Sequence, residues 1–180
     1  MLLQAGDVFC VEGSMSVVSS FIRLAEQFWS TDNKADYGHA GIILNDQGKT
    51  FEVLWTAKKS DLSKYLGQKI IIARPTVLYG TEIAISSRVV EMTLANIIQA
   101  TQGLPYPVHR LFLHLVPPLA KYVSLGKLKV CSELVAEYLK QVGARPFIAS
   151  GINPDTLADM FIEWKNFDVL YEGVFKGVEY

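Results

Sequence analysis

Tyr37-Gly38-His39-Ala40-Gly41-Ile42-Ile43-Leu44, then Asn45-Asp46-Gln47-Gly48, then Lys49-Thr50-Phe51-Glu52-Val53-Leu54-Trp55 is the stretch from which the fold of this chain can be read. Two runs of β-favouring residues flank a four-residue segment of turn formers, so a hairpin is predicted with strands over 38–44 and 49–55. Pairing Asn45 with Gly48 sets Gly41 opposite Glu52 and His39 opposite Leu54. Ala40, Ile42, Leu44, Phe51, Val53 and Trp55 then share one wholly apolar face, which is the expected core face. His39 and Glu52 fall on the other face as diagonal neighbours, roughly 7–8 Å apart at Cα, with Gly41 leaving space beside them. A slip of one residue would turn Glu52 away from His39, and the apolar alternation opposes that slip.

An imidazole next to a carboxylate has its tautomer set and its cationic form stabilised, as a base that takes a proton from a thiol requires. The candidate thiol is Cys131. From 131 to 142 the residues Leu134, Val135, Tyr138, Leu139 and Val142 recur on one face, and Gly143 stands where a helix stops. Cys131 lies in the first turn and points inward with them, towards the sheet. Free N–H groups and the helix dipole favour thiolate there, and Ser132 and Glu133 suit the positions that follow. The same N–H groups are placed to stabilise an oxyanion. Alone, a free Cys most often packs a core, a strand His is as often structural as catalytic, and a lone Glu is usually solvated. Only the combination points to nucleophilic catalysis.

Working outward, 6–11 reads as a first strand and 16–29 as an amphipathic helix. A further strand is expected at 69–74, before Pro75, and a long helix at 82–102, ending at Gly103. Asn153-Pro154-Asp155-Thr156 opens a capped helix to about 164, and 167–174 is a last strand. Strands around several helices, with no strict alternation and no internal repeat, predict an α+β domain with a mainly antiparallel sheet. At 180 residues, 50% hydrophobic and 19% charged, a single domain over 1–180 is expected.

A net charge of -1 from 17 basic and 18 acidic residues creates no field for nucleic acid or anionic lipid. Two cysteines, Cys10 and Cys131, are too few for a disulfide scaffold, and the start at Met1-Leu2-Leu3-Gln4 has no secretory signal pattern. No run approaches the ~18 apolar residues of a membrane span. A cytoplasmic, reduced protein is therefore the expectation. No cofactor is indicated, and a metal site is not expected without a fourth ligand or a Cys-x-x-Cys or His-x-x-x-His spacing. Cys10 reads as a buried bystander.

At these same residues the chain resembles the NlpC-type cysteine hydrolases, specifically their circularly permuted, papain-like branch. Gly6-Asp7-Val8-Phe9 is similar to the early Gly-Asp strand, Tyr37-Gly38-His39-Ala40-Gly41-Ile42-Ile43 to the His-x-Gly-Ile strand, and Val130-Cys131-Ser132-Glu133-Leu134-Val135 to the Cys-Ser-Glu-Leu helix start. The Cys follows the His, as in the permuted branch. The likeness continues through Gly103-Leu104-Pro105-Tyr106, Asn153-Pro154-Asp155 and Val169-Leu170-Tyr171-Glu172-Gly173. It implies a permuted papain-like fold, with the Cys at a helix N-terminus facing the His strand. It also implies attack by Cys131 on an amide, peptide or ester carbonyl through an acyl-enzyme, with His39 as base and Glu52 in the third position.

Tyr37, where a small or polar residue is usual, and Tyr106 are candidates for contacting substrate. His109 and His114 match no catalytic position and read as part of a structural segment or lid. The permuted branch also resembles the lecithin-retinol acyltransferase group, so a thioesterase or acyltransferase on lipid-like acyl groups is a second reading, with the apolar segment 111–125 as its channel or lid. A catalytically idle binding module with the same fold is a third.

Overall fold

A computed structural model of the chain describes residues 2–12, 36–105, 131–146 and 152–178. The expected helix over 16–29, the segment 111–125, and Tyr106, His109 and His114 lie outside the described residues. Strands β1 (Val8–Val11), β2 (His39–Ile43), β3 (Lys49–Val53), β4 (Ala57–Asp61), β5 (Lys69–Pro75) and β6 (Phe167–Val174) form one sheet in the order β4-β3-β2-β1-β5-β6. Every neighbouring pair is antiparallel. Helices α1 (Ser87–Thr101), α2 (Cys131–Gln141) and α3 (Pro154–Glu163) complete an α+β fold.

The hairpin has the expected register, with Gly41 opposite Glu52, Ile42 opposite Phe51 and Ile43 opposite Thr50. Its turn is closed by Leu44 N–H donating to the Lys49 carbonyl at 2.6 Å and Lys49 N–H to Asn45 Oδ1 at 3.0 Å, with Gly48 at φ 76. That left-handed φ is why Gly ends the turn.

The alternation of each strand sorts its residues onto two cores. Val8, Cys10, Ala40, Ile42, Phe51, Val53, Ile71 and Ala73 face the helices, where Leu134, Val135, Tyr138, Leu139, Leu157 and Phe161 cover them. Phe9, Val11, Ile43, Ile70 and Ile72 face the other way, beneath Leu62, Tyr65 and Phe175. Central strands buried on both faces explain why Val8–Val11 and Lys69–Pro75 read as nearly continuous apolar runs. Asp7, just before β1, ties the segment around Gln4 to β5. Its carboxylate accepts from Gln4 N–H at 2.8 Å and takes both Arg74 Nε and Nη2, at 2.7 and 2.9 Å.

Three expectations need correction. The helix expected from 82 begins at Ser87, because Ser86 Oγ accepts from Val89 N–H while 77–85 folds back as a turn, Leu78 N–H donating to Ile83 O at 2.8 Å. Trp55 is not core. It is 64% exposed, lying past the end of β3 where the chain bends towards β4. β4 was not expected at all, since Ala-Lys-Lys-Ser-Asp has no apolar alternation; it is an edge strand held by its backbone ladder to β3, and its lysines suit an edge. The α3 start is as expected, Asn153 Oδ1 capping Thr156 N–H at 2.7 Å with Pro154 first in the helix. Among the described residues no helix is long and apolar enough to cross a membrane.

Candidate active site

β2 and β3 bring His39 and Glu52 together as their register requires. His39 Nε2 lies 2.8 Å from Glu52 Oε2, with the carboxylate fully buried. Gly41 does not leave the space beside them empty, as the sequence suggested. The Phe9 ring fills it, so that a Cβ on residue 41 would stand 2.6 Å from Phe9 Cζ and 3.2 Å from Glu52 Cβ. Phe9 meets the His39 ring edge-on at 6.4 Å between centroids, and Tyr65 tilts against it at 6.0 Å. The imidazole thus sits between two rings, with Glu52 at one nitrogen and a polar exit at the other.

That exit is Cys131. His39 and Cys131 are hydrogen-bonded side chain to side chain. With Nε2 occupied by Glu52, Nδ1 is the nitrogen left for the thiol. The pairing needs an opening in the sheet, because Cys131 sits with the helix-facing core whereas the His39 ring stands with Phe9, Tyr65 and Glu52 on the opposite side. The β2–β3 ladder supplies it. N–H groups alternate in direction along an antiparallel strand. Leu44 N–H points to β3 and Ile43 N–H to β1, so Ala40 N–H also points towards β3. The last β2–β3 pair is Gly41 with Glu52, one residue short of Ala40. Beyond the ladder, Ala40 N–H donates to the Cys131 sulfur instead, as does Ser132 N–H from the helix start.

The charges follow from these contacts. Burial would raise the Cys131 pKa, but His39 and the N–H groups of Ala40 and Ser132 outweigh it and lower the thiol below its ordinary value. Burial would lower the His39 pKa, but Cys131 and then Glu52 push it up to about 9. Burial would raise the Glu52 pKa, yet His39 and Lys64 bring it down to about 2. The lowered thiol and the raised imidazole both favour thiolate beside imidazolium, the reactive form of a cysteine nucleophile.

Glu52 has further partners. Its Oε2 also accepts from Tyr65 OH at 2.5 Å and lies 2.8 Å from Lys64 Nζ, and Thr50 Oγ1 donates to Oε1 at 2.5 Å. Thr50 was within reach of sequence reading, being two residues before Glu52 on the same strand face. Lys64 and Tyr65 were not, because they arrive on a 3-10 turn (Leu62–Tyr65) that follows the unforeseen β4.

Tyr37 is 4% exposed, its ring in the helix-facing core and under Lys69 Nζ, 5.2 Å from the centroid. Its backbone N–H and that of Asp36 donate to Asp155 Oδ1, at 3.3 and 3.1 Å, tying the approach to β2 onto the start of α3. Burial and then Glu172 raise the Tyr37 pKa. Ser132 Oγ donates to Ile152 O at 2.6 Å, fixing the α2 start against the segment before α3. A cavity of about 410 Å³ lies away from the site, where Asp7, Arg74, Ser87, Glu91 and Tyr138 line it. Among the described residues no group of three or more His, Cys, Asp or Glu side chains is arranged to hold a metal ion. No family model matches the chain, and no curated protein matches it.

Proposed function

We propose that this protein is a cysteine hydrolase of the permuted papain-like kind, attacking an amide or ester carbonyl through Cys131, His39 and Glu52. The observation that carries the reading is the buried hydrogen-bonded run from Cys131 through His39 to Glu52, closed at the sulfur by two backbone N–H groups. In the reaction the Cys131 sulfur bonds to the carbonyl carbon as the C=O electrons move to oxygen. Collapse breaks the bond to the amine or alcohol, which leaves with the proton of the His39 imidazolium. Water then adds to the thioester and gives a proton to the neutral His39. The C–S bond breaks, the acid departs, and thiolate is left beside imidazolium. Nε2 donates to Glu52 throughout, keeping Nδ1 aimed at the reacting atoms.

The test is alkylation of Cys131 by iodoacetamide from pH 5 to 9, read by mass spectrometry, with Cys10 as internal control. Labelling that stays fast well below the free-thiol pKa of ~8.5, and slows at low pH in His39→Ala, is the expected result. A panel of peptide amides and acyl esters, with Cys131→Ala as control, then assigns the substrate class. Labelling of Cys131 no faster than an ordinary thiol, and indifferent to His39, would overturn the reading in favour of a binding module.

A further inference from the structure

We propose that Lys64 is a positioning residue of this site, sharing the Glu52 carboxylate with His39 and thereby limiting how tightly that carboxylate holds the imidazolium. The role rests on the catalytic reading of Cys131, His39 and Glu52.

Glu52 is fully buried, and a buried carboxylate must be balanced by a cation. Were His39 the only cation in reach, the carboxylate would hold the imidazole proton more tightly at every stage of a reaction. That suits the first half, in which imidazolium protonates the leaving group. It obstructs the second half, in which the sulfur is acylated and uncharged, and neutral imidazole must take a proton from water.

Lys64 changes the balance. Its Nζ and His39 Nε2 each lie 2.8 Å from the same oxygen, Glu52 Oε2, so the two nitrogens are no further apart than twice that distance. Two cations that close repel appreciably inside a protein. The Lys64 side chain is 30% exposed, so its ammonium keeps part of its hydration while it neutralises the carboxylate. Protonation of His39 is then governed mainly by Cys131, which carries charge in the free enzyme and none in the acyl-enzyme. Among the described residues the other titratable groups around the pair are Tyr65, which donates to Glu52 Oε2, and Lys58, which stands opposite Glu52 on β4 and is exposed.

A Lys64 that held Glu52 in place without sharing its charge with His39 would leave the titration of His39 unmoved, and the experiment uses that difference. In the full chain carrying Cys131→Ala, which mimics the uncharged sulfur of the acyl state, His39 is titrated by its Cε1–Hε1 NMR signal. It is identified among the 3 histidines by its loss in His39→Gln. Adding Lys64→Met is expected to raise the His39 midpoint by about one pH unit. Lys64→Arg, which restores the cation, is expected to return it close to the starting value. Lys64→Gln, retaining a donor without charge, gives the same readout should Lys64→Met not fold.

An unmoved midpoint in a folded, uncharged variant, alongside fast low-pH alkylation of Cys131 in the chain with its cysteine intact, would overturn the role of Lys64 and leave the catalytic reading standing. An unreactive Cys131 would overturn both.

Discussion

The backbone N–H of Ala40 is hydrogen-bonded to the sulfur of Cys131 rather than to the strand beside it. A sheet edge inside the hairpin, opened one residue past the Gly41–Glu52 pair, thereby becomes part of a thiolate site. The thiol arrives from the helix side and the imidazole from the other, and they meet where the ladder stops.

Acyl transfer and alkylation should part company at high pH. In the proposed mechanism amide cleavage requires the His39 proton, whose pKa is pushed up to about 9 by Cys131 and Glu52 over the opposing effect of burial. Alkylation requires only the thiolate. The expected result is that kcat/KM on an amide declines above pH 9 while iodoacetamide labelling of Cys131 stays level; a shared decline would place the loss in the thiolate or the fold.

Glu52→Gln keeps the side-chain shape and removes the charge that holds His39. Turnover is expected to fall about 100-fold or more, with slower labelling of Cys131 near pH 6. Circular dichroism would verify the fold, and wild-type rates in a folded variant would reduce Glu52 to a structural residue.

Stability should respond to acid through Glu52, whereas towards alkaline pH the contributions of His39 and Cys131 have opposite signs. Glu52 sits at about 2 when folded against ~4.3 unfolded, so its contribution is full above the unfolded value and is lost as pH falls towards 2. His39 sits at about 9 against ~6.5 unfolded, so its contribution is full below the unfolded value and is lost as pH rises through 9. Cys131, held below its ordinary value when folded, gains over much of the range in which His39 loses, so urea midpoints from pH 2.5 to 10 should fall mainly at the acid end, and Glu52→Gln should flatten that limb.

Gly41→Ala should destabilise by about 1–3 kcal/mol, because the new Cβ would stand 2.6 Å from Phe9 Cζ in a fully packed slot. Phe9→Leu in the same chain should recover part of that loss. A double-mutant cycle in urea tests the pair, and strictly additive effects would mean that Phe9 is not what opposes the methyl group.

What the sequence by itself determined were the features whose causes lie within a few residues. Apolar alternation and the Asn45-Asp46-Gln47-Gly48 turn dictate the hairpin register, and that register alone makes His39 and Glu52 diagonal neighbours. Asn153 with Pro154 starts α3, and Gly143 closes α2, because capping and left-handed φ are local matters. The tertiary structure decided the rest. β4 has no pattern of its own and exists through its ladder to β3, so the turn behind it, and with it Lys64 and Tyr65 on Glu52, could not be foreseen. Sequence alternation put the Cys131 face against one side of the sheet and His39 on the other. Only the early end of the β2–β3 ladder lets them touch, because a strand pair opens where its two chains must diverge, and that depends on packing across the whole sheet.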